Sequence, residues 1–112
     1  MTEKNEKAKD NSHDACVRIV ADELKKANWT VKADITGFDK PPEVMKGYVP
    51  DVQAEKKGCV TRICEIATPE MFDGDLQKYI ELKNYCNEYD FHMYVVDKDG
   101  KRMKIDPQTF VK

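Results

Sequence analysis

Apolar residues recur at helical intervals from Cys16 to Ala27. Cys16, Val17, Val20, Leu24 and Ala27 form one stripe, with Asp22, Lys25 and Lys26 opposite. Ser12 is a good cap for such a helix, Asp14 suits the positive end of its dipole, and Asn28 is a suitable stop. Trp29 to Ile35 then changes period: Trp29, Val31, Ala33 and Ile35 alternate with Thr30, Lys32 and Asp34, as in a half-buried strand. Pro41-Pro42 places residues 39–46 in a loop. Gly47 to Ala54 reads as a second strand, Lys56-Lys57-Gly58 as a turn, and Cys59 to Ala67 as a third, strongly β-prone strand. Thr68-Pro69-Glu70 starts a helix: a cap, a proline at the first helical position, and an acid in the first turn. Its apolar face (Phe72, Leu76, Tyr79, Ile80, then Lys83 or Cys86) extends to about Tyr89, weakened by Gly74. Phe91 to Val96 is a further strand. Asp97-Lys98-Asp99-Gly100 is a hairpin turn, residues 102–105 a short edge strand, and residues 106–110 a single helical turn.

The predicted order is helix, three strands, helix, strand and a small addition. It describes an α/β domain whose central mixed sheet is flanked by helices. Residues 1–12 alternate Lys, Glu, Asp and Asn without apolar periodicity and read as a disordered tail, leaving residues 13–112 as a single domain.

Composition narrows the function only slightly. The 112 residues are 40% apolar and 36% charged, which is globular composition, and no apolar run approaches the ~20 residues that span a bilayer. No membrane association is expected. The charged opening Met1-Thr2-Glu3-Lys4 lacks the apolar segment of a signal peptide, so a cytoplasmic protein is expected. A net charge of −2 argues mildly against a dedicated nucleic-acid binder. A carboxylate cluster around a metal would lower the net charge in the same way, and Lys32, Lys40, Lys46, Lys56, Lys57, Lys98, Lys101, Arg102 and Lys104 suffice for a basic rim. Cys16, Cys59, Cys64 and Cys86 contain no C-x-x-C pair. Cys59 and Cys64 point to opposite faces if they share a strand, so all four read as small buried hydrophobes. His13 reads as solvated beside the tail, and His92 as an ordinary hydrogen-bonding residue of a strand.

The chemistry lies in Pro50-Asp51 and in Glu65 of Cys64-Glu65-Ile66-Ala67, one on each arm of the predicted hairpin. With the turn roughly midway, the two carboxylates stand near each other across the ladder. Opposed like charges there call for a cation. Mg²⁺ suits such a place, because it takes oxygen ligands, needs few carboxylates and keeps sites for water and phosphate. The simpler alternative is an ion pair of Glu65 with Lys56 or Lys57 across the hairpin.

Pro50-Asp51, thirteen intervening residues and Glu65, set in that element order over residues 13–96, resemble the PD-(D/E)XK nuclease superfamily of restriction endonucleases and Holliday-junction resolvases. The resemblance implies a restriction endonuclease-like core and a Mg²⁺- (or Mn²⁺-) dependent DNA endonuclease, a deoxyribonuclease. Asp51, Glu65 and the carbonyl of Ile66 would be its metal ligands. In the family a lysine two residues after the Glu orients the attacking water; here that position is Ala67. Lys56, Lys57, Lys78 and Lys83 are the candidate replacements. Asp14 matches an acidic residue that the resolvase branch has near the start of its first helix. Gln77 with Tyr79 is similar to a Gln and Tyr of the exonuclease branch. The resemblance further implies DNA as partner and a homodimer. The alternative is an inactive nuclease-fold module that binds nucleic acid or a protein partner.

Overall fold

A computed structural model describes the backbone of residues 2–35, 38, 40–44 and 47–110, and the side chains of residues 13–35, 38, 40–44 and 47–109. The protein is α/β: three α-helices pack on a five-stranded mixed sheet. In chain order the elements are α1 (Thr2–Lys26), β1 (Thr30–Ala33), β2 (Val52–Glu55), β3 (Arg62–Ala67), α2 (Pro69–Gly74), α3 (Leu76–Tyr85), β4 (Asp90–Val96), β5 (Arg102–Ile105) and a closing 3-10 turn (Pro107–Phe110). The strands lie in the order β1-β2-β3-β4-β5. The first three form an antiparallel meander, β4 joins β3 in parallel, and β5 returns antiparallel to β4. The parallel β3–β4 pair requires a crossover, which α2 and α3 supply.

The stripe on α1 is buried from Cys16 to Leu24 as its spacing predicts, whereas Ala27 lies past the helix end in an exposed turn and Ala21 joins the buried face instead. Cys16, Val17, Val20, Ala21 and Leu24 are buried against Ala33, Val52, Ala54, Cys64, Ile66 and Val96 of the sheet. On the other face Phe72, Tyr79 and Leu82 meet Ile63, Ala67 and Met93. β3 is buried from Ile63 to Ala67, as befits a strand covered on both sides. Full burial of Val17 or Ile66 stabilises the fold by roughly 1.5–3 kcal/mol each.

Several boundaries differ from the sequence reading, each for a local reason. α1 begins at Thr2 rather than Ser12, so the backbone is helical where polar composition predicts a tail; Glu, Lys and Ala, which dominate residues 3–9, are good helix formers. The helix stops where Asn28 takes the left-handed conformation (φ 72°) and Trp29 N–H turns back to the Leu24 carbonyl. The strand predicted from Gly47 begins at Val52, because Pro50 has no N–H and the Asp51 N–H is bonded to a side chain. The strand predicted from Cys59 begins at Arg62. Cys59 N–H closes a turn onto the Lys56 carbonyl, with Gly58 at φ 83°, so Cys59 is exposed in a loop and shares no strand with Cys64. The single helix predicted over residues 69–89 is two, broken after Gly74. The second ends at Tyr85. Of the predicted loop over residues 39–46, Asp39, Met45 and Lys46 lie outside the described residues, as does the opening Met1.

Two capping expectations hold. Thr68 Oγ1 accepts the Met71 N–H at the start of α2, with Pro69 in the first turn. Asp97 Oδ1 accepts the N–H groups of Asp99 and Lys101 and fixes the β4–β5 turn. No helix among the described residues is long and apolar enough to cross a membrane.

Candidate functional site

Val52 pairs with Cys64 at the end of the β2–β3 ladder. One step further, the ladder gives way to side chains. The Asp51 N–H donates to Glu65 Oε2 (3.2 Å), and the Ile66 N–H donates to Asp51 Oδ2 (2.8 Å). Each carboxylate therefore caps the strand that carries the other. N–H and C=O of one strand residue leave on the same edge, so the Ile66 carbonyl shares the edge that faces Asp51. Asp51, Glu65 and Ile66 are brought together, as their spacing about the turn predicts.

Glu65 is 4% exposed. Burial, reinforced by the Asp51 charge, pushes its carboxyl well above the ordinary range. The Asp51 N–H and the charges of Lys78 and His13 oppose that shift.

His13 is where the structure departs most from the sequence reading. It is not solvated. Its side chain is 18% exposed, with Nδ1 3.0 Å from Asp14 Oδ1 and Nε2 3.4 Å from Asp51 Oδ2. The hydrogen bond to Asp51 outweighs burial and, with the neighbouring negative charges, raises its pKa to about 9. His13 is thus a cation at neutral pH and a counter-charge for Asp51. The sequence held a signal for it: His13 precedes Cys16, Val17 and Val20 at spacings of three, four and seven, and so continues the stripe that faces the sheet. Asp14 joins the site only through His13, with its own side chain 60% exposed.

The proposed replacements for the motif lysine separate clearly. Lys56 Nζ bonds the Ala27 carbonyl and lies over the Trp29 ring, and Lys57 sits in the hairpin turn. Both line a 450 Å³ cleft at the far end of the hairpin, about 17 Å along the strand from Asp51. Neither pairs with Glu65. Lys83 is bound to Asp106 at 2.7 Å. Lys78, on α3, is the candidate whose charge acts on Glu65. Gln77 is exposed, whereas Tyr79 is fully buried, because residues two apart on a helix face different directions. They do not form a pair. His92 behaves as expected in its strand, with Nε2 2.9 Å from Asp90 Oδ2. Tyr48 is tied from beside Pro50 to α3 by its hydroxyl, which donates to Glu81.

Among the described residues no three His, Cys, Asp or Glu side chains are grouped as a ready-made metal cage. The oxygens that do converge, two carboxylates and a carbonyl, are the donor types a hard divalent cation takes while keeping water in its remaining positions. A cation would also relieve the forced protonation of Glu65. The donor set fits Mg²⁺ or Mn²⁺ and suits a thiophilic metal poorly.

The chain matches no protein-family model, no curated protein and no solved structure.

Proposed function

We propose that this protein is a Mg²⁺-dependent phosphodiester hydrolase of the PD-(D/E)XK kind, acting on DNA, with a rearranged active site. One observation carries the reading above the rest: the reciprocal hydrogen bonding that holds Asp51 and Glu65 together where β2 and β3 part. The order helix, three strands, helices, strand around that point supports the restriction endonuclease-like core.

Asp51, Glu65 and the Ile66 carbonyl would hold the metal. Bound there, the cation would supply Lewis-acid stabilisation of phosphodiester charge and a water of lowered pKa. The chain's own groups do the remainder. His13 orients Asp51, Lys78 places positive charge toward Glu65, and the buried floor of Ile63 and Ala67 limits bulk water. Hydrolysis forms one P–O bond from water and breaks one ester P–O bond, the departing alkoxide taking a proton. A homodimer fits this function, since each site cuts one strand of a duplex.

A second reading has its own support. The His13 contact on Asp51 Oδ2 places a cation where a metal would bind, and Ala67 removes the motif lysine. Both suit a non-catalytic module that binds nucleic acid or a protein partner.

The two readings part on metal binding. An NMR titration with Mg²⁺ and then Mn²⁺ is expected to shift or broaden the amides of residues 51–54 and 64–67 in the wild type. Asp51→Asn is expected to abolish that response and Mg²⁺-dependent DNA cleavage, a loss of at least ~10³-fold. No response at millimolar metal would favour the module.

A further inference from the structure

The position of the missing lysine is filled. Ala67 lies two residues beyond Glu65 on β3, on the same face, and is fully buried in one cluster with Phe72, Tyr79 and Met93. A lysine at 67 would need the volume that these side chains occupy. Tyr79 is itself fully buried. Its ring stacks on Phe72 (centroids 5.9 Å, 12° between planes), and Lys78 Nζ stands 5.4 Å over it. The stacked, fully buried ring has little freedom, which restricts the direction of its hydroxyl. Yet the Tyr79 hydroxyl is the one buried side-chain polar atom among the described residues that has no hydrogen-bond partner.

Such a group calls for an explanation, because a buried hydroxyl left unpaired is costly and almost always finds a protein atom or an ordered water. Ala67, packed in the same cluster and on the strand face that carries Glu65, supplies a direction. Besides burial, the groups that act on the phenol are all carboxylates, Glu65 first, then Asp75 and Asp51. They keep it protonated, and therefore a donor, at any working pH. No carboxylate bonds it directly, and a bridging water is the partner that such a donor ordinarily takes.

We infer that the Tyr79 hydroxyl, directed over Ala67 toward Glu65, stands in for the absent motif lysine as a positioning residue and holds a water against the Glu65 carboxylate. The inference deepens the hydrolase reading and rests on it for the role of that water, but not for its presence. Substituting a phenol for an ammonium keeps a hydrogen-bond donor and gives up a charge. Lys78, beside the ring, supplies that charge from the next residue of the helix.

Tyr79→Phe tests the inference, because the phenyl ring keeps the packing on Phe72. In metal-free wild-type protein the Tyr79 hydroxyl proton is expected to exchange slowly and show an NMR cross-peak to a long-lived water. The Phe variant is expected to melt about 4 °C lower, through loss of that bond. With Mg²⁺ and DNA its kcat should fall about 10²-fold, with KM and Mg²⁺ affinity unchanged. A Phe variant that melts at or above the wild-type temperature, or one that cuts at the wild-type rate, overturns the inference, as does a hydroxyl proton with no water beside it. The melting and cross-peak readings need no metal. A wild type that binds no Mg²⁺ therefore sinks the hydrolase reading and leaves these two measurements to decide the water.

Discussion

Replacing Glu65 with glutamine is expected to stabilise the metal-free protein by on the order of 2 kcal/mol at pH 9, and in the same molecule to remove divalent-ion binding. The two effects share a cause. Glu65 is a buried acid whose ionisation is opposed by burial and by Asp51. The folded state therefore keeps its proton at pH values where the unfolded chain has released it. Folded stability falls as pH rises from the ordinary carboxylate range through the raised folded value, and the full cost is present above it. An amide carries no such cost, and it keeps an oxygen to accept the Asp51 N–H. It lacks the negative charge a hard cation needs. Urea unfolding of both proteins from pH 4 to 9 should give curves that coincide at the acid end and diverge upward. Parallel curves would mean that Glu65 is not strained, and Mg²⁺ binding retained in Glu65→Gln would sink its role as a ligand.

His13 gives the second large effect. His13→Ala is expected to cost about 1–2 kcal/mol at pH 6 and almost nothing at pH 10, after allowance for partial screening by solvent. The His13 pKa is raised from 6.5 to about 9 by the Asp51 hydrogen bond and the acid charges around it. A raised base stabilises the fold fully below its unfolded pKa, and the contribution is lost as pH climbs from about 6.5 through about 9. Glu65 slopes the same way. His92 works against them at lower pH: burial holds its pKa below 6.5, so the unfolded chain takes up the proton first and stability drops as pH falls through that range. Wild-type stability should therefore peak at or below about pH 6.5 and decline toward pH 9. A His13→Ala variant with the same slope above pH 6.5 would show that the His13–Asp51 pair is broken in solution.

Much of the fold was legible because single residues dominate their surroundings. The α1 stripe from Cys16 to Leu24, the Thr68-Pro69 start of α2 and the Asp97–Gly100 turn each follow from local rules and are found where those rules place them. The Asp51–Glu65 convergence was legible for the same reason, since an antiparallel hairpin with a central turn pairs residues equidistant from it. What periodicity could not show were decisions made by tertiary partners. β2 starts late because Glu65 takes the N–H of Asp51, a contact between strands that no window of sequence contains. His13 was misread because polar neighbours in sequence outweighed its place on the helical stripe. Lys56 and Lys57 were attractive as charges near a hairpin, but the turn that contains them lies at its opposite end.

The four thiols differ in a way that can be put to use. Cys59 is exposed in the hairpin loop, while Cys16, Cys64 and Cys86 are buried and burial pushes their thiols up, Cys64 to about 12 and Cys86 to about 11. A thiolate-selective maleimide should therefore label the native chain once, at Cys59, and label it four times only after the core opens. Mass spectrometry of a brief labelling pulse would count native and opened molecules directly. A dye on Cys59 would also sit about as far from Asp51 as the hairpin allows, and so would leave the carboxylates untouched.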